Sequence, residues 1–180
     1  MKKNLKLSGT TILGVKIGKK VAIGGDGQVT HGDTIFKSNA HKVRKLYKKK
    51  VITGFAGSTA DALTLFDRFE KKLKEYKGNL LKASVEVTKE WRTDKILRRL
   101  EAMIIVADKD TLLIVSGNGD IIEPDNNVAA IGSGGAYAKA AANAFIKAGK
   151  KNPKEIVDKS IKIASDICIY TNSQRIVKEL

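Results

Sequence analysis

The chain has 180 residues, the size of a single domain, and 42% of them are hydrophobic, which is enough to bury a core. Its formal charge is 34 − 19 = +15, which raises nucleic-acid binding as one interpretation. The apolar stretches are too short to span a bilayer, and the basic N-terminus is not followed by the apolar region of a secretory signal. The lone Cys168 excludes an internal disulfide, two histidines make a histidine-based metal site unexpected, and a reducing, cytoplasmic compartment is the expected location.

The first half of the chain predicts a β-hairpin, one further strand and two helices. Alternating apolar residues with a glycine-containing turn between them indicate the hairpin, and apolar residues at three- and four-residue spacing indicate the helices. The predicted elements are strands at 10–17, 20–25 and 51–56, a helix from Ser58 or Thr59 to Gly78, and a helix over about 80–100.

The second half predicts short strands followed by two more helices. Asn152-Pro153-Lys154-Glu155 is a strong helix start, with a capping asparagine, proline at the first helical position and glutamate three residues after the cap. The predicted elements are strands at 102–107, 111–116, 120–123 and 128–131, helices at 136–147 and from Asn152, and a last strand around 172–177.

Strands and helix pairs therefore come in separate blocks along the chain. This order predicts an α+β fold, a four-layer αββα sandwich of two antiparallel sheets with helix pairs outside. Strict alternation of strands and helices is absent, which argues against a doubly wound nucleotide-binding fold.

Motifs for phosphate binding and for histidine-based catalysis are weak. Gly132-Ser133-Gly134-Gly135 joins a strand to a helix, where an anion can bind, but it lacks the spacing of a dinucleotide-binding loop, and no Walker motif occurs. Ser133 by itself is more typical of a structural cap. His31 and His41 lie in polar stretches typical of solvated loops, and Cys168 among apolar neighbours is typical of a buried thiol.

Gly9-Thr10-Thr11 lies at the start of the first predicted strand, behind a nine-residue basic leader. If the leader is cut off after Gly9, Thr10 carries a hydroxyl nucleophile and a free α-amine, whose pKa of about 7.7–8.0 suits a general base. Such a site needs a nearby cation with a carboxylate partner, which Lys42 and Asp26 can supply. On the sequence pattern alone this signal is weak, and a lysine in the stretch His-Lys-Val-Arg-Lys is more typical of an exposed surface charge.

A series of segments, in order over nearly the whole chain, carries a family resemblance. They are Thr10-Thr11-Ile12, Gly25–Gln28, Lys42–Tyr47, Gly54–Ala62, Glu90–Asp94, Arg99–Ala102, Gly117–Asp120, Ile131–Gly135 and Asp166–Asn172. Together they resemble the HslV family, the peptidase subunits of the bacterial HslUV protease and relatives of proteasome β-subunits. The resemblance implies the N-terminal-nucleophile hydrolase fold, which is an αββα sandwich.

The resemblance also implies a role for individual residues. Thr10 matches the family nucleophile, Lys42 its activating lysine and Asp26 the partner of that lysine. Ser133 matches the serine that positions the amine and its water, and Gly57 the glycine whose N–H binds the oxyanion. Residues 1–9 would then be a leader, and residues 10–180 a single peptidase domain.

Cofactor and partners are implied in the same way. In the family, main-chain oxygens near a helix end bind a sodium ion, and the matching positions are Ser165, Cys168 and Thr171. The expected assembly is two stacked six-fold rings. A hexameric AAA+ ATPase unfoldase, HslU, would feed unfolded polypeptides to it, and the chain itself would bind no nucleotide, nucleic acid or membrane.

Two departures from the family pattern and two alternatives remain. Many family members remove a shorter leader, and serine stands at positions 165 and 58 where the family often has glycine. A nucleic-acid binder is one alternative, because Lys42–Lys50 holds six basic residues and no acid, although no aromatic platform accompanies them. The other alternative is a ring subunit without enzymatic activity.

Overall fold

The computed structural model describes residues 7–8, 10–57, 59–95 and 102–180. The strands are β1 (Leu7–Ser8), β2 (Thr11–Ile17), β3 (Lys20–Asp26), β4 (Val29–His31), β5 (Thr34–Lys37), β6 (Val43–Leu46), β7 (Val51–Ala56), β8 (Met103–Ala107), β9 (Leu112–Ser116), β10 (Ile121–Ile122), β11 (Val128–Gly132) and β12 (Arg175–Glu179). The helices are α1 (Thr59–Glu75), α2 (Leu80–Thr93), α3 (Gly135–Lys147) and α4 (Pro153–Ile167).

Two antiparallel sheets form the centre of the molecule. The first has the strand order β11-β2-β3-β12, and the second has the order β10-β9-β8-β7-β6. A third, small sheet has the strand order β1-β4-β5. In the first sheet Ile12 pairs with Gly25 and Thr11 with Gly132, so the start of β2, the end of β3 and the end of β11 meet at one end.

Three apolar clusters show how the layers stack. One cluster joins Ile12 and Ile23 of the first sheet to Ile52 and Ile105 of the second, so the two sheets pack face to face. The second sheet packs its other face against α1 and α2, and the first sheet packs against α3 and α4. The predicted αββα sandwich of antiparallel sheets is therefore confirmed.

Local sequence signals predicted most of the elements well. The hairpin of β2 and β3 and the start of α4 are confirmed, with the Asn152 side chain accepting main-chain N–H bonds from Lys154 and Glu155 at 3.0 and 3.3 Å. The second helix was predicted too long. It ends at Thr93, where Asp94 has extended backbone angles, and residues 96–101 lie outside the described part of the chain.

Other predictions were incomplete or cannot be compared. The sequence patterns do not predict β1, which has two residues, or β4, β5 and β6, which are short and partly exposed. The cap residue Ser58 and the cleavage-site residue Gly9 lie outside the described residues. Among the described helices, none is long and apolar enough to cross a membrane.

Candidate active site

Thr10 lies immediately before β2, at the end of the first sheet, and is buried. The end of β11 closes over its main chain. Gly132 there has a φ of +88°, and a Cβ at this position would lie 2.1 Å from the carbonyl oxygen of Thr10. Only glycine fits at position 132 without displacing Thr10. The backbone of β11 therefore fixes the position of the threonine.

Asp26, the last residue of β3, is the hydrogen-bonding centre of this end of the sheet. It is 1% exposed. Its Oδ1 accepts the main-chain N–H of Thr11 at 2.7 Å, and its Oδ2 accepts that of Gln28 at 2.9 Å. The Nζ atom of Lys42 lies 3.0 Å from Oδ1. One buried carboxylate thus binds the residue after Thr10, the turn after β3 and a lysine.

Lys42 precedes β6 in the second sheet and reaches across to the first. Its side chain is 8% exposed and also donates to the main-chain oxygen of Gln28. Burial lowers the pKa of the Lys42 ammonium from its ordinary value of 10.5, and the charge and hydrogen bond of Asp26 partly oppose that effect. The sequence pattern alone favoured a surface charge for Lys42, and the structure corrects this, because Lys42 lies in a buried ion pair.

The loop after α4 forms another wall of this cluster. The hydroxyl of Thr171 lies 2.7 Å from that of Thr11, and the N–H of Gly27 donates to the side-chain oxygen of Asn172 at 3.1 Å. The amide nitrogen of Gln28 donates to the main-chain oxygen of Ile169 at 2.9 Å. Three hydrogen bonds therefore join this loop to β2 and to the turn after β3.

Sequence reasoning missed Gln28, Thr11 and Asn172 as members of the cluster. Gln28 and Asn172 contribute partly through main-chain N–H and C=O groups. Every residue except proline carries both groups, so the residue type does not reveal such a role. The one available signal was that each lies inside a segment that carries the family resemblance.

Gly57 and Ser133 directly follow β7 and β11, respectively. The N–H of Phe55 in β7 donates to the main-chain oxygen of Lys42 at 3.1 Å, so Gly57, two residues later, continues from the Lys42 end of the second sheet. Ser133 is exposed in the turn between β11 and α3. A Cβ at its neighbour Gly134 would lie 2.2 Å from the Thr11 hydroxyl oxygen, so this turn packs against β2.

The predicted cation positions lie at the C-terminal end of α4. Cys168 is buried, as predicted, and its carbonyl accepts the N–H of Thr171 at 3.0 Å, while the Ser165 hydroxyl bonds to the carbonyl of Lys162. Within the described ranges, no three His, Cys, Asp or Glu side chains cluster as metal ligands. A site made of main-chain oxygens does not depend on such a cluster.

Comparison with known proteins identifies the family. Residues 7–180 match the family model described as proteasome subunit. The chain belongs to the proteasome subunit family. Among solved structures it is similar to eukaryotic HslV from Trypanosoma brucei, with 44% sequence identity and a TM-score of 0.88 over 94% of this chain and 98% of that one. The resemblance found in the sequence is confirmed, and the chain is a proteasome-type protease subunit.

Proposed function

We propose that this chain is a threonine endopeptidase whose nucleophile is Thr10, exposed when residues 1–9 are removed. The observation that supports this most is the buried Lys42–Asp26 ion pair, which binds the main-chain N–H of Thr11 next to the buried Thr10. Apolar groups of similar size are often at least as stabilising as a buried ion pair. A buried pair beside a threonine therefore favours a catalytic role over a purely structural one.

The proposed reaction uses one residue as both nucleophile and base. After leader removal, the α-amine of Thr10 accepts the proton of its own hydroxyl, directly or through one water. Oγ1 bonds to the scissile carbonyl carbon, and the carbon–nitrogen bond breaks as the proton passes to the leaving nitrogen. Water then hydrolyses the ester and releases Thr10.

The other site residues would prepare the two Thr10 groups. The ammonium of Lys42 favours the neutral form of the α-amine, and Asp26 holds that ammonium in place. The N–H of Gly57 would bind the oxyanion, and Ser133 would position the amine and its water. In the precursor the nitrogen of Thr10 is part of a peptide bond and cannot act as a base, so residues 1–9 would keep the chain inactive.

Substrate delivery and assembly are proposed from the resemblance. The chain would form two stacked six-fold rings enclosing the Thr10 residues, and a hexameric AAA+ ATPase of the HslU type would supply unfolded polypeptides. ATP dependence would then arise in the partner, since the sequence carries no Walker motif. A cytoplasmic location is part of the same proposal.

A sodium ion would be held by the main-chain oxygens of Ser165, Cys168 and Thr171. Neutral oxygens near a helix end suit a hard cation, and the carbonyl of Cys168 keeps a second lone pair beside the one that accepts the N–H of Thr171. The cation would supply positive charge at the end of α4. Ser165 lies in the last turn of α4, and Cys168 and Thr171 lie in the loop after it, which contacts Thr11 and Gln28.

The test is the N-terminus of the purified protein together with its peptidase activity. Intact mass should show loss of residues 1–9, and a threonine-directed boronate or epoxyketone should block hydrolysis of an unfolded peptide. The Thr10→Ala variant should keep its assembly and lose hydrolysis. An active chain that still begins at Met1 would contradict the mechanism, and a wild-type protein that assembles without hydrolysing peptides would indicate a silent subunit.

A further inference from the structure

The run of basic residues at Lys42–Lys50 divides into three environments in the structure. Lys42 is in the buried ion pair, and Arg44 lies over the ring of Phe66 at 5.4 Å. Lys45, Lys49 and Lys50 instead line a surface groove of about 620 Å³. The proposed catalytic mechanism leaves these three lysines without a role.

Lysines from two other parts of the chain line the same groove. Lys77 follows α1, and Lys109 lies in the turn between β8 and β9. Among the described residues, none of the five groove lysines lies within an ion-pairing distance of a carboxylate. We call this surface the lysine groove, defined by Lys45, Lys49, Lys50, Lys77 and Lys109.

The carboxylates at the lysine groove are already engaged. Asp110 pairs with Lys19, Glu179 pairs with Lys154 at 2.9 Å, and Asp108 accepts main-chain N–H groups at 2.7 and 2.8 Å. The charges of Asp110 and Glu179 are therefore partly compensated by Lys19 and Lys154, which do not line the groove. The five lysines are left to attract an external anion.

The backbone of the lysine groove is unfavourable in one segment. Tyr47, Lys48 and Lys49 have consecutive φ values of 46°, 54° and 64°. Three left-handed residues in succession, none of them glycine, asparagine or aspartate, are rare, and such strain persists where the surroundings fix it and is enriched at functional sites. Here Glu70 accepts the N–H of Tyr47 at 2.7 Å, which holds the turn that presents Lys49 and Lys50.

The lysine groove lies at the opposite end of the sandwich from Thr10. It adjoins Leu180, whose main chain pairs with Val21 at the start of β3, whereas Asp26 ends that strand. Seven extended residues separate these ends by about 20 Å. A ligand in the groove would therefore not occupy the catalytic centre.

We propose that the lysine groove docks an acidic, partly apolar peptide segment of a partner protein. Its lining residues combine these five lysines with Tyr47 and Leu180. Carboxylate side chains of the segment pair with the lysines while an apolar side chain covers the ring. A nucleic acid fits less well, because binding of single strands uses several aromatic side chains for base stacking and Tyr47 is the one aromatic residue in the lining.

The test measures binding of a fluorescein-labelled decapeptide of glutamate and leucine to the assembled Thr10→Ala protein, which cannot cleave it through the proposed nucleophile. Fluorescence anisotropy should show binding that weakens as salt is raised, and a matched decapeptide of glutamine and leucine should not bind. The double variant Lys49→Glu/Lys50→Glu should weaken binding by about tenfold or more. The matched control Lys150→Glu/Lys151→Glu, an adjacent exposed pair between α3 and α4, should bind normally.

Two further variants test the groove by binding and by hydrolysis. Lys109→Glu tests the groove from an element outside the strained turn and should also weaken binding, and Lys49→Glu/Lys50→Glu with Thr10 intact should hydrolyse small peptides normally. Equal binding of the glutamine peptide, or equal losses in the control variant, would overturn the proposal. A dT20 oligonucleotide that binds more tightly, with the same lysine dependence, would assign the groove to nucleic acid instead.

Discussion

The ammonium group of Lys42 is buried and donates hydrogen bonds to the Asp26 carboxylate and to the main-chain oxygen of Gln28. Because burial is the largest influence on it, its pKa lies below the ordinary lysine value of 10.5. If the cation is needed to keep the Thr10 amine neutral, kcat/KM should fall on the alkaline side through a pKa below 10.5. The acidic limb should reflect the α-amine, with a pKa below its reference of about 7.7–8.0, because the nearby Lys42 ammonium disfavours a second positive charge.

Substitution at position 42 checks the origin of the alkaline limb. Lys42→Arg keeps a charge that does not titrate in this range, so the limb should move upward in pH even though the rate is lower. Lys42→Met should reduce kcat/KM by about 100-fold or more. An unchanged alkaline limb in Lys42→Arg would assign that titration to another group.

Gly132 supports Thr10 by having no side chain. In Gly132→Ala, the new Cβ would fall 2.1 Å from the Thr10 carbonyl oxygen, so the threonine must move, and activity should drop by about 100-fold or more. Gly149→Ala is a matched control, because Gly149 has a similar φ of +84° with nothing within 4 Å. It should cost about 1–2 kcal/mol of stability and leave kcat/KM unchanged. Comparable rate losses in both variants would indicate general destabilisation instead.

The residues that the sequence could predict are those whose side chains carry the chemistry. Asp26 and Lys42 could be chosen because an amine base needs a cation and the cation needs a carboxylate, and the family resemblance supported them. Gln28 could not, because its main-chain oxygen and N–H hold Lys42 and Asp26. Main-chain contacts depend on where the chain turns in three dimensions, and residue type does not encode them.

The loop after α4 is joined to β2 by the hydroxyls of Thr11 and Thr171. Thr171→Val leaves the buried Thr11 hydroxyl without this partner and should cost about 1–3 kcal/mol, measured as a shift in the urea unfolding midpoint. The double variant Thr11→Val/Thr171→Val should cost less than the sum of the two single variants, since neither hydroxyl is left unpaired. Thr93→Val, at an exposed position on α2, should change stability by less than about 0.5 kcal/mol. Additive costs would mean that the two hydroxyls do not interact.

Elements could be predicted where local sequence determines them. α4 begins as expected because Asn152 supplies the capping oxygen and Pro153 needs no N–H partner. β5 could not be predicted, because all four of its residues are exposed and its pairing with β4 shifts register. The end of α2 was missed because apolar residues continue past Thr93 while the backbone turns at Asp94.

At the scale of the whole molecule, the charge that first pointed to nucleic acid divides into separate parts. The proposed leader carries Lys2, Lys3 and Lys6 and no acid, so a mature chain would have 31 − 19 = +12. One further lysine belongs to the buried pair, and five line the lysine groove. The net charge therefore reflects mainly exposed lysines, whereas the proposed activity depends on one buried cation.

The hairpin of β4 and β5 exposes two large apolar side chains, Ile35 at 58% and Phe36 at 64%, with the Phe36 ring 5.1 Å from that of His31. Exposed apolar groups of this size, adjacent to one another, are typical of a protein interface. If the proposed rings bury this hairpin, Ile35→Thr/Phe36→Thr should shift native mass spectra toward smaller assemblies. Threonine keeps the strand propensity, and neither side chain belongs to the subunit core, so far-UV circular dichroism should not change. Unaltered assembly would place the ring contacts on other surfaces, and loss of the dichroism signal would show that the hairpin stabilises the subunit itself.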